Sequence, residues 1–126
     1  MPFRIYPTVA EVIETQRLLI DEFGGPHGIR DRGLLESAVF RPRSGYYTGL
    51  IEEASALIES LANNHPFIDG NKRLSFVMTD AMLRANGYFL DVGPSEAYKS
   101  ITEAMERQEF RFPTIRDWLT SIIKPA

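Results

Sequence analysis

Apolar residues recur at helical spacing along almost the whole chain, and this periodicity restricts the fold more than any other feature of the sequence. The clearest case is a set of residues at positions i, i+3, i+4, i+7 and i+8, namely Ala54, Leu57, Ile58, Leu61 and Ala62. Such a stripe is typical of the buried face of an amphipathic helix. The pattern therefore predicts an all-α fold.

Capping and helix-breaking residues divide this pattern into six predicted helices. The first is predicted from Val9 to Phe23, because Thr8 and Glu11 match a capping box and glycine follows Phe23. The others are predicted to begin near Asp31, Glu52, Asn71, Ser95 and Thr114 and to end near Pro42, His65, Asn86, Arg107 and Ile123. The helix from Asn71 is apolar on several sides, so we expect it at the centre of a helical bundle.

Two shorter segments depart from the helical pattern. Tyr88–Leu90 is interpreted as a short strand, and residues 41–51, which are rich in glycine and tyrosine, as an exposed loop or a small β-hairpin. The length of 126 residues suits one domain spanning residues 1–126, and a hydrophobic content of 44% is enough for a core.

The composition argues against several classes of protein. There is no cysteine, which excludes disulfides and thiolate metal sites, and the two histidines, His27 and His65, are too far apart in sequence to suggest a zinc pair. The net charge of −3 argues against direct binding of nucleic acid. No apolar stretch reaches membrane-spanning length and the first residues lack a secretory signal, so we expect a cytoplasmic protein without membrane contact.

His65 is the first candidate for chemistry. It stands eleven residues after Ala54 and continues the apolar stripe, so we expect it to point inward at the C-terminal end of its helix. Pro66 disfavours helical geometry for His65 and closes the helix there. A helix C-terminus favours a cationic side chain, which suits an imidazole that accepts a proton. The alternative is a core histidine with satisfied hydrogen bonds.

An anion site is predicted immediately afterwards, where Asp69, Gly70 and Asn71 open the next helix. Asp and Asn are common N-caps, which gives a purely structural alternative. Lys72 and Arg73, however, place two cations in the first turn, where they oppose the helix dipole. Free N–H groups and two cations at one helix start form an anion site.

Two other residues of this segment have separate predicted roles. Asp69 supplies a hard oxygen ligand for Mg²⁺, which typically binds through one or two carboxylates and substrate phosphates. Phe67 is expected to anchor the loop in the core. A base, a metal carboxylate and an anion site within nine residues are the parts that phosphoryl or nucleotidyl transfer requires.

The segment HPFIDGNKR resembles the motif of the Fic family, HxFx(D/E)GN followed by GR or KR. The version with Lys72 resembles the death-on-curing (Doc) toxins of bacterial toxin–antitoxin modules. The upstream segment GGPHGIRDRGLLESAVFRPRS is similar to the N-terminal region of that subfamily, and the resemblance covers nearly the whole chain.

This resemblance implies an all-helical Fic fold and a role for each motif residue. It implies His65 as general base, Asp69 as the Mg²⁺ ligand, and Lys72 and Arg73 as catalytic phosphate contacts. The cofactor contacts it implies are Gly70, Asn71, Lys72 and Arg73. It further implies transfer of the γ-phosphate of ATP to a hydroxyl of translation elongation factor Tu, an arrest of translation, and a small Phd-like antitoxin as partner.

The chain departs from the Fic enzymes that transfer AMP. Lys72 stands where those enzymes have glycine, and Phe76 stands where they have a second arginine, which favours transfer of phosphate. Ser55 and Glu59 have the spacing of the inhibitory (S/T)xxxE(G/N) motif, but Ser60 occupies its last position. We interpret Ser55 and Glu59 as an ordinary exposed helix face and expect inhibition to come from another chain.

Several alternatives stay open. Tyr46 and Tyr47 either belong to a flap that docks the target protein, as the resemblance implies, or pack under a loop. The reaction could be AMP transfer rather than phosphate transfer. The chain could also be a non-catalytic binding module with a Fic fold, or a helical DNA-binding regulator, against which the acidic balance argues.

Overall fold

Two long helices, α3 (Gly49–Asn63) and α4 (Asn71–Ala85), lie at the centre of the fold in the computed structural model, which describes residues 3–126. The surrounding helices are α1 (Val9–Phe23), α2 (Arg32–Phe40), α5 (Pro94–Glu106) and α6 (Phe112–Ile122). Helix α4 contacts α1, α3 and α5, while α3 contacts α2 and α6. The all-α prediction and the central position of the helix from Asn71 are confirmed.

The start of α1 shows how local sequence sets a boundary. The side chain of Thr8 accepts a hydrogen bond of 3.1 Å from the N–H of Glu11, and the Glu11 carboxylate accepts one of 2.9 Å from the N–H of Thr8. This reciprocal pair satisfies two N–H groups that the helix leaves free. At the other end, Gly24 has φ +89°, which glycine adopts without a steric penalty.

Two groups of buried side chains form the core, one on each side of α3 and α4. The first joins α3 and α4 to α5 and α6, with Ile58, Leu83, Ile101 and Leu119 fully buried. The second lies under α1, α2 and the loop between α3 and α4. None of the helices within residues 3–126 has both the length and the apolar character needed to span a bilayer.

The predicted strand forms with a partner that the sequence did not indicate. β1 (Tyr88–Leu90) pairs antiparallel with β2 (Ile123–Pro125), and Phe89 lies opposite Lys124. Residues 41–51 contain a turn of 3-10 helix at Arg41–Arg43, bends, and the first residues of α3. The β-hairpin alternative for this segment is therefore wrong, because its backbone pairs with no strand.

The interpretation of Ser55 and Glu59 as an exposed helix face is also wrong. Ser55 is fully buried, and its hydroxyl donates to the carbonyl of Ile51. The Glu59 side chain is only 14% exposed and forms an ion pair of 2.8 Å with Arg41. Its second oxygen accepts a hydrogen bond of 2.7 Å from the N–H of Phe112, the first residue of α6.

Glu59 therefore joins three elements: α3, the 3-10 turn and the start of α6. Burial disfavours the charged form of Arg41, but hydrogen bonds with Tyr47 and Glu59 outweigh it, so the pKa of Arg41 is raised. The carboxylate also satisfies a free N–H group at a helix N-terminus, where negative charge is favourable. Sequence spacing alone could not reveal this role, because both partners come from other elements.

Replacing Glu59 with alanine should lower the free energy of unfolding by about 2–3 kcal/mol, because it removes the carboxylate that pairs with Arg41 and leaves the Phe112 N–H without its acceptor. Urea denaturation measures the loss. Glu59→Gln is the matched control, since it keeps an acceptor for Phe112 and should cost less. A change below about 0.5 kcal/mol for Glu59→Ala would be the behaviour of a surface residue and would contradict this role.

Candidate active site

The loop between α3 and α4, residues 64–70, is held by the segment that precedes α2. The carbonyl of Pro66 accepts hydrogen bonds from the N–H groups of Arg30 (2.8 Å) and Asp31 (3.0 Å). The N–H of Ile68 donates to the carbonyl of Gly28 at 3.0 Å. The two segments thus run side by side as a short antiparallel ladder, and this ladder fixes the backbone of the motif.

Glycine is needed where this segment approaches the loop. At Gly25, which has φ +110°, an added Cβ would collide with the carboxylate of Asp69. At Gly28, which has φ +125°, it would lie 3.0 Å from the side chain of Ile68. The glycines of the upstream segment therefore allow close contact with the candidate site.

Phe67 and Asn71 anchor the loop from inside. Phe67 is 1% exposed and packs in the core group under α1 and α2, which confirms its predicted anchoring role. The side chain of Asn71, also buried, accepts a hydrogen bond from the N–H of Phe67 (3.1 Å) and donates one to its carbonyl (2.9 Å). The Asn71 amide thus ties the loop to the first turn of α4.

His65 does not continue the buried stripe of α3. The helix ends at Asn63 with Asn64 as its C-cap, and His65 is exposed with φ +49°. The prediction of an inward-pointing histidine is wrong because the chain turns before that position. A left-handed residue commonly follows a helix end, but it is usually glycine, and for other residues it costs about 1–2 kcal/mol.

Arg30 binds the carbonyl groups at the C-terminal end of α3. Its Nη2 donates to the carbonyl of Asn64 at 2.7 Å, and its Nε donates to the carbonyl of His65 at 2.5 Å. A guanidinium here matches the negative end of the helix dipole. Sequence analysis missed Arg30, because its partners lie more than thirty residues away.

One small pocket of about 180 Å³ brings the motif residues together. It is lined by His65, Ile68, Asp69, Gly70, Asn71, Lys72, Arg73 and Tyr98. The imidazole and the cationic helix start therefore face the same cavity. Its volume is below that of sites for drug-sized ligands and suits a phosphate group better than a whole nucleotide.

The start of α4 is open to an anion. Gly70, with φ +80°, is the N-cap and offers no side chain, so the structural alternative, capping by Asp69 or Asn71, is not what the structure shows. In the described part of the chain the N–H groups of Asn71, Lys72 and Arg73 have no acceptor. Backbone donors and the positive end of the helix dipole therefore point at the pocket.

Lys72 and Arg73 keep their charge free for a ligand. Within residues 3–126 neither forms an ion pair with a carboxylate. The guanidinium carbon of Arg73 lies 4.2 Å from the ring centroid of Phe23 and 4.3 Å from that of Tyr98. Lys72 Nζ lies 5.9 Å from the Tyr98 ring. Aromatic faces attract a cation without neutralising it.

Asp69 has the chemistry of a Mg²⁺ ligand but cannot hold the ion alone. Its Oδ1 accepts a hydrogen bond from the N–H of Gly70, and its main-chain carbonyl accepts one from Gln16. No group of three or more potential metal ligands occurs among residues 3–126. A Mg²⁺ ion at Asp69 would therefore take its other ligands from phosphate oxygens and water, as this ion commonly does.

Tyr46 and Tyr47 do not line this pocket. Tyr47 packs against Phe112 with a centroid distance of 5.4 Å, and its hydroxyl accepts a hydrogen bond of 2.6 Å from Arg41. Tyr46 is 84% exposed. The packing alternative thus describes Tyr47, and a role of the two tyrosines in docking a target stays a prediction.

Tyr98 is a pocket residue that sequence analysis missed. It comes from α5, twenty-five residues after Arg73, and contacts both cations of the site. In the sequence it is one aromatic residue in an amphipathic helix, and no local pattern marks it. Only the packing of α5 against α4 places it in the pocket.

Comparison with known proteins gives two findings. The model of the Fic/DOC family matches residues 6–83, more than half of the chain, including all motif residues from His65 to Arg73. Toxin Doc of Mycolicibacterium smegmatis (strain ATCC 700084 / mc(2)155) is 43% identical over 70 residues, which cover 52% of this chain and 54% of that protein. The chain thus spans about half the length of this relative.

Proposed function

We propose, on the premise that the chain belongs to the Fic/DOC family, that it is a toxin that transfers the γ-phosphate of Mg-ATP to a hydroxyl group of a protein. The observation that carries this proposal is the shared pocket of His65, Asp69 and the uncapped, cationic start of α4. Similarity to Toxin Doc of M. smegmatis supports the toxin role.

The pocket supplies the main parts of such a transfer. The hydroxyl oxygen of the target attacks the γ-phosphorus, the bond from that phosphorus to the bridging oxygen breaks, and ADP leaves. The exposed imidazole of His65 accepts the proton of the hydroxyl. The N–H groups of Asn71 to Arg73, with the two cations, stabilise the charge on the phosphoryl group.

Asp69 is the residue that would hold Mg²⁺ in this scheme. A bound Mg²⁺ ion would supply positive charge that offsets the negative charge of the phosphates. This chain contributes one carboxylate beside the anion-binding amides. The main-chain carbonyl of Asp69 accepts a hydrogen bond from Gln16, and its carboxylate lies close to the backbone of Gly25. Asn71 contributes its backbone N–H, because its side chain is bonded to Phe67.

Two residues favour phosphate transfer over AMP transfer. Lys72 lines the pocket where AMP-transferring Fic enzymes have glycine, and it occupies space there. Phe76 is 6% exposed and packs in the core, so this position offers no second arginine to a phosphate chain. Because of both differences, the protein offers fewer contacts to the phosphates of an ATP molecule bound in the pose for AMP transfer.

The target and partner follow from the resemblance to Doc toxins. Elongation factor Tu is the proposed protein substrate, a small Phd-like antitoxin is the proposed inhibitor, and the cytoplasm is the proposed location. The carboxylate oxygens of Glu59 are bound to Arg41 and to the N–H of Phe112, so Glu59 is not available as an internal inhibitory residue. This agrees with inhibition by a second chain.

Incubation with elongation factor Tu and labelled ATP tests the proposal. Label from γ-labelled ATP should appear on the factor, and label from α-labelled ATP should not. Intact-mass analysis of the product checks the result, because the phosphate and AMP adducts differ by the adenosine moiety.

Each other outcome supports a different function. Transfer of the α label would establish AMP transfer and overturn the kinase assignment. Binding of ATP without transfer to any protein hydroxyl would favour a non-catalytic binding module. Salt-sensitive binding of DNA by the isolated chain would favour a DNA-binding regulator.

A further inference from the structure

We propose that Arg30 is a positioning residue that holds His65 in its reactive place; this inference rests on the proposed function of His65 as the proton acceptor. Arg30 lies outside the motif, in the segment before α2, and does not line the pocket. Its side chain reaches the motif from outside and binds the backbone at the point where α3 ends.

The backbone of His65 is strained. His65 has φ +49°, and among the described non-glycine residues only Gln108 shares a positive φ. A non-glycine residue persists in this region only where surrounding contacts enforce it, and such residues cluster at functional sites. Because glycine would fit here at lower cost, the presence of histidine indicates that the imidazole itself is needed.

The contacts that enforce this backbone come from Arg30. Its Nη2 and Nε donate to two successive carbonyls, those of Asn64 and His65, at 2.7 and 2.5 Å. A planar guanidinium can bind two acceptors at once in a fixed relative orientation, whereas the ammonium of lysine cannot. This pair of hydrogen bonds, the Arg30 fork, therefore sets the orientation of the peptide groups on both sides of the His65 Cα.

The backbone of Arg30 keeps the fork in place. Its N–H donates to the carbonyl of Pro66 at 2.8 Å, so side chain and main chain bind three successive carbonyls, of Asn64, His65 and Pro66. Arg30 is itself exposed and belongs to neither core group, so its removal opens no cavity. The expected effect is therefore local to His65.

Loss of the fork should reduce turnover without weakening nucleotide binding. The hydrogen bonds of Arg30 go to the carbonyls of residues 64–66 and not to the start of α4, so the KM for ATP should change by less than about 2-fold. Misplacement of a reacting group by about 1 Å can cost 10²-fold in rate, so Arg30→Lys should lower kcat by about 10- to 100-fold.

The test compares Arg30→Lys with Arg32→Lys in the full chain. Arg32 is the matched control, because it lies two residues away and its one ion pair among residues 3–126 is with exposed Glu36 at 3.6 Å. Two pairs of quantities are measured. The first pair is kcat and KM for transfer from γ-labelled ATP. The second pair is the three-bond amide–Hα coupling and the Cα chemical shift of His65 by NMR, which report its φ without any activity.

Arg30→Lys should lower kcat and change both NMR parameters of His65, whereas Arg32→Lys should change neither. Wild-type values of the His65 parameters and of kcat in Arg30→Lys would overturn the proposal. So would a loss of kcat that accompanies general unfolding in the amide spectrum. If the wild-type chain transfers no phosphate, the proposed function fails, while the NMR comparison still decides whether Arg30 sets the His65 backbone.

Discussion

Replacing His65 with asparagine should lower the rate of phosphate transfer by about 10²- to 10⁴-fold, the usual contribution of a general base, and leave the stability of the protein unchanged. Asparagine tolerates the left-handed backbone that His65 adopts, with φ +49°, better than most residues do. It carries no nitrogen that can accept a proton from the target hydroxyl. Initial rates with γ-labelled ATP and the thermal midpoint together measure the two effects.

His27→Asn is the control for this experiment. His27 is the other histidine of the chain, and it is exposed. Its side chain pairs with Asp21 at a distance of 2.8 Å and does not line the pocket that contains His65. Its replacement should leave the transfer rate within about 2-fold of the wild-type rate, as for surface changes remote from a site.

The His65→Ala protein should also fold, and it should lose its toxicity when expressed. A His65→Asn or His65→Ala protein that transfers phosphate at the wild-type rate would remove the base assignment.

Phe67→Ala should give the largest loss of stability in the motif, about 3–5 kcal/mol in the free energy of unfolding. The ring is 1% exposed and packs among buried side chains of α1, α2, α3 and α4, so truncation leaves a cavity where those elements meet. Urea denaturation measures the loss as a lower midpoint at constant slope.

The neighbouring Ile68→Ala provides the comparison for Phe67→Ala. Ile68 is also large and apolar, but it is 54% exposed and lies on the opposite side of the loop backbone, facing Gly28 and the pocket. Its truncation should cost less than about 1 kcal/mol. Equal losses for the two variants would mean that Phe67 does not anchor the loop.

Local chemistry in the sequence was enough to predict several features. The capping box at Thr8 and Glu11 and the glycine after Phe23 placed both ends of α1. The apolar residues on several sides of the helix from Asn71 predicted its central position. The close spacing of His65, Asp69 and Lys72 in the sequence predicted that they share one site.

The errors came from contacts between distant parts of the chain. Extending the α3 stripe to His65 failed because Arg30 stabilises a turn at Asn64 that helical periodicity cannot show. Glu59 appeared to be a surface residue because its partners, Arg41 and Phe112, belong to other elements. Tyr98 enters the pocket only through the packing of α5 on α4.

The hydrogen bonds between Asn71 and Phe67 affect how the molecule tolerates motion. They fasten the turn after His65 to the first turn of α4, while the Phe67 ring is embedded in the packed interior. Because the two hydrogen bonds and the packed ring resist separation of the turn from the helix, we expect residues 67–71 to move together in any small shift of the surrounding helices. Such coupling would preserve the spacing between the proton acceptor and the phosphate-binding amides.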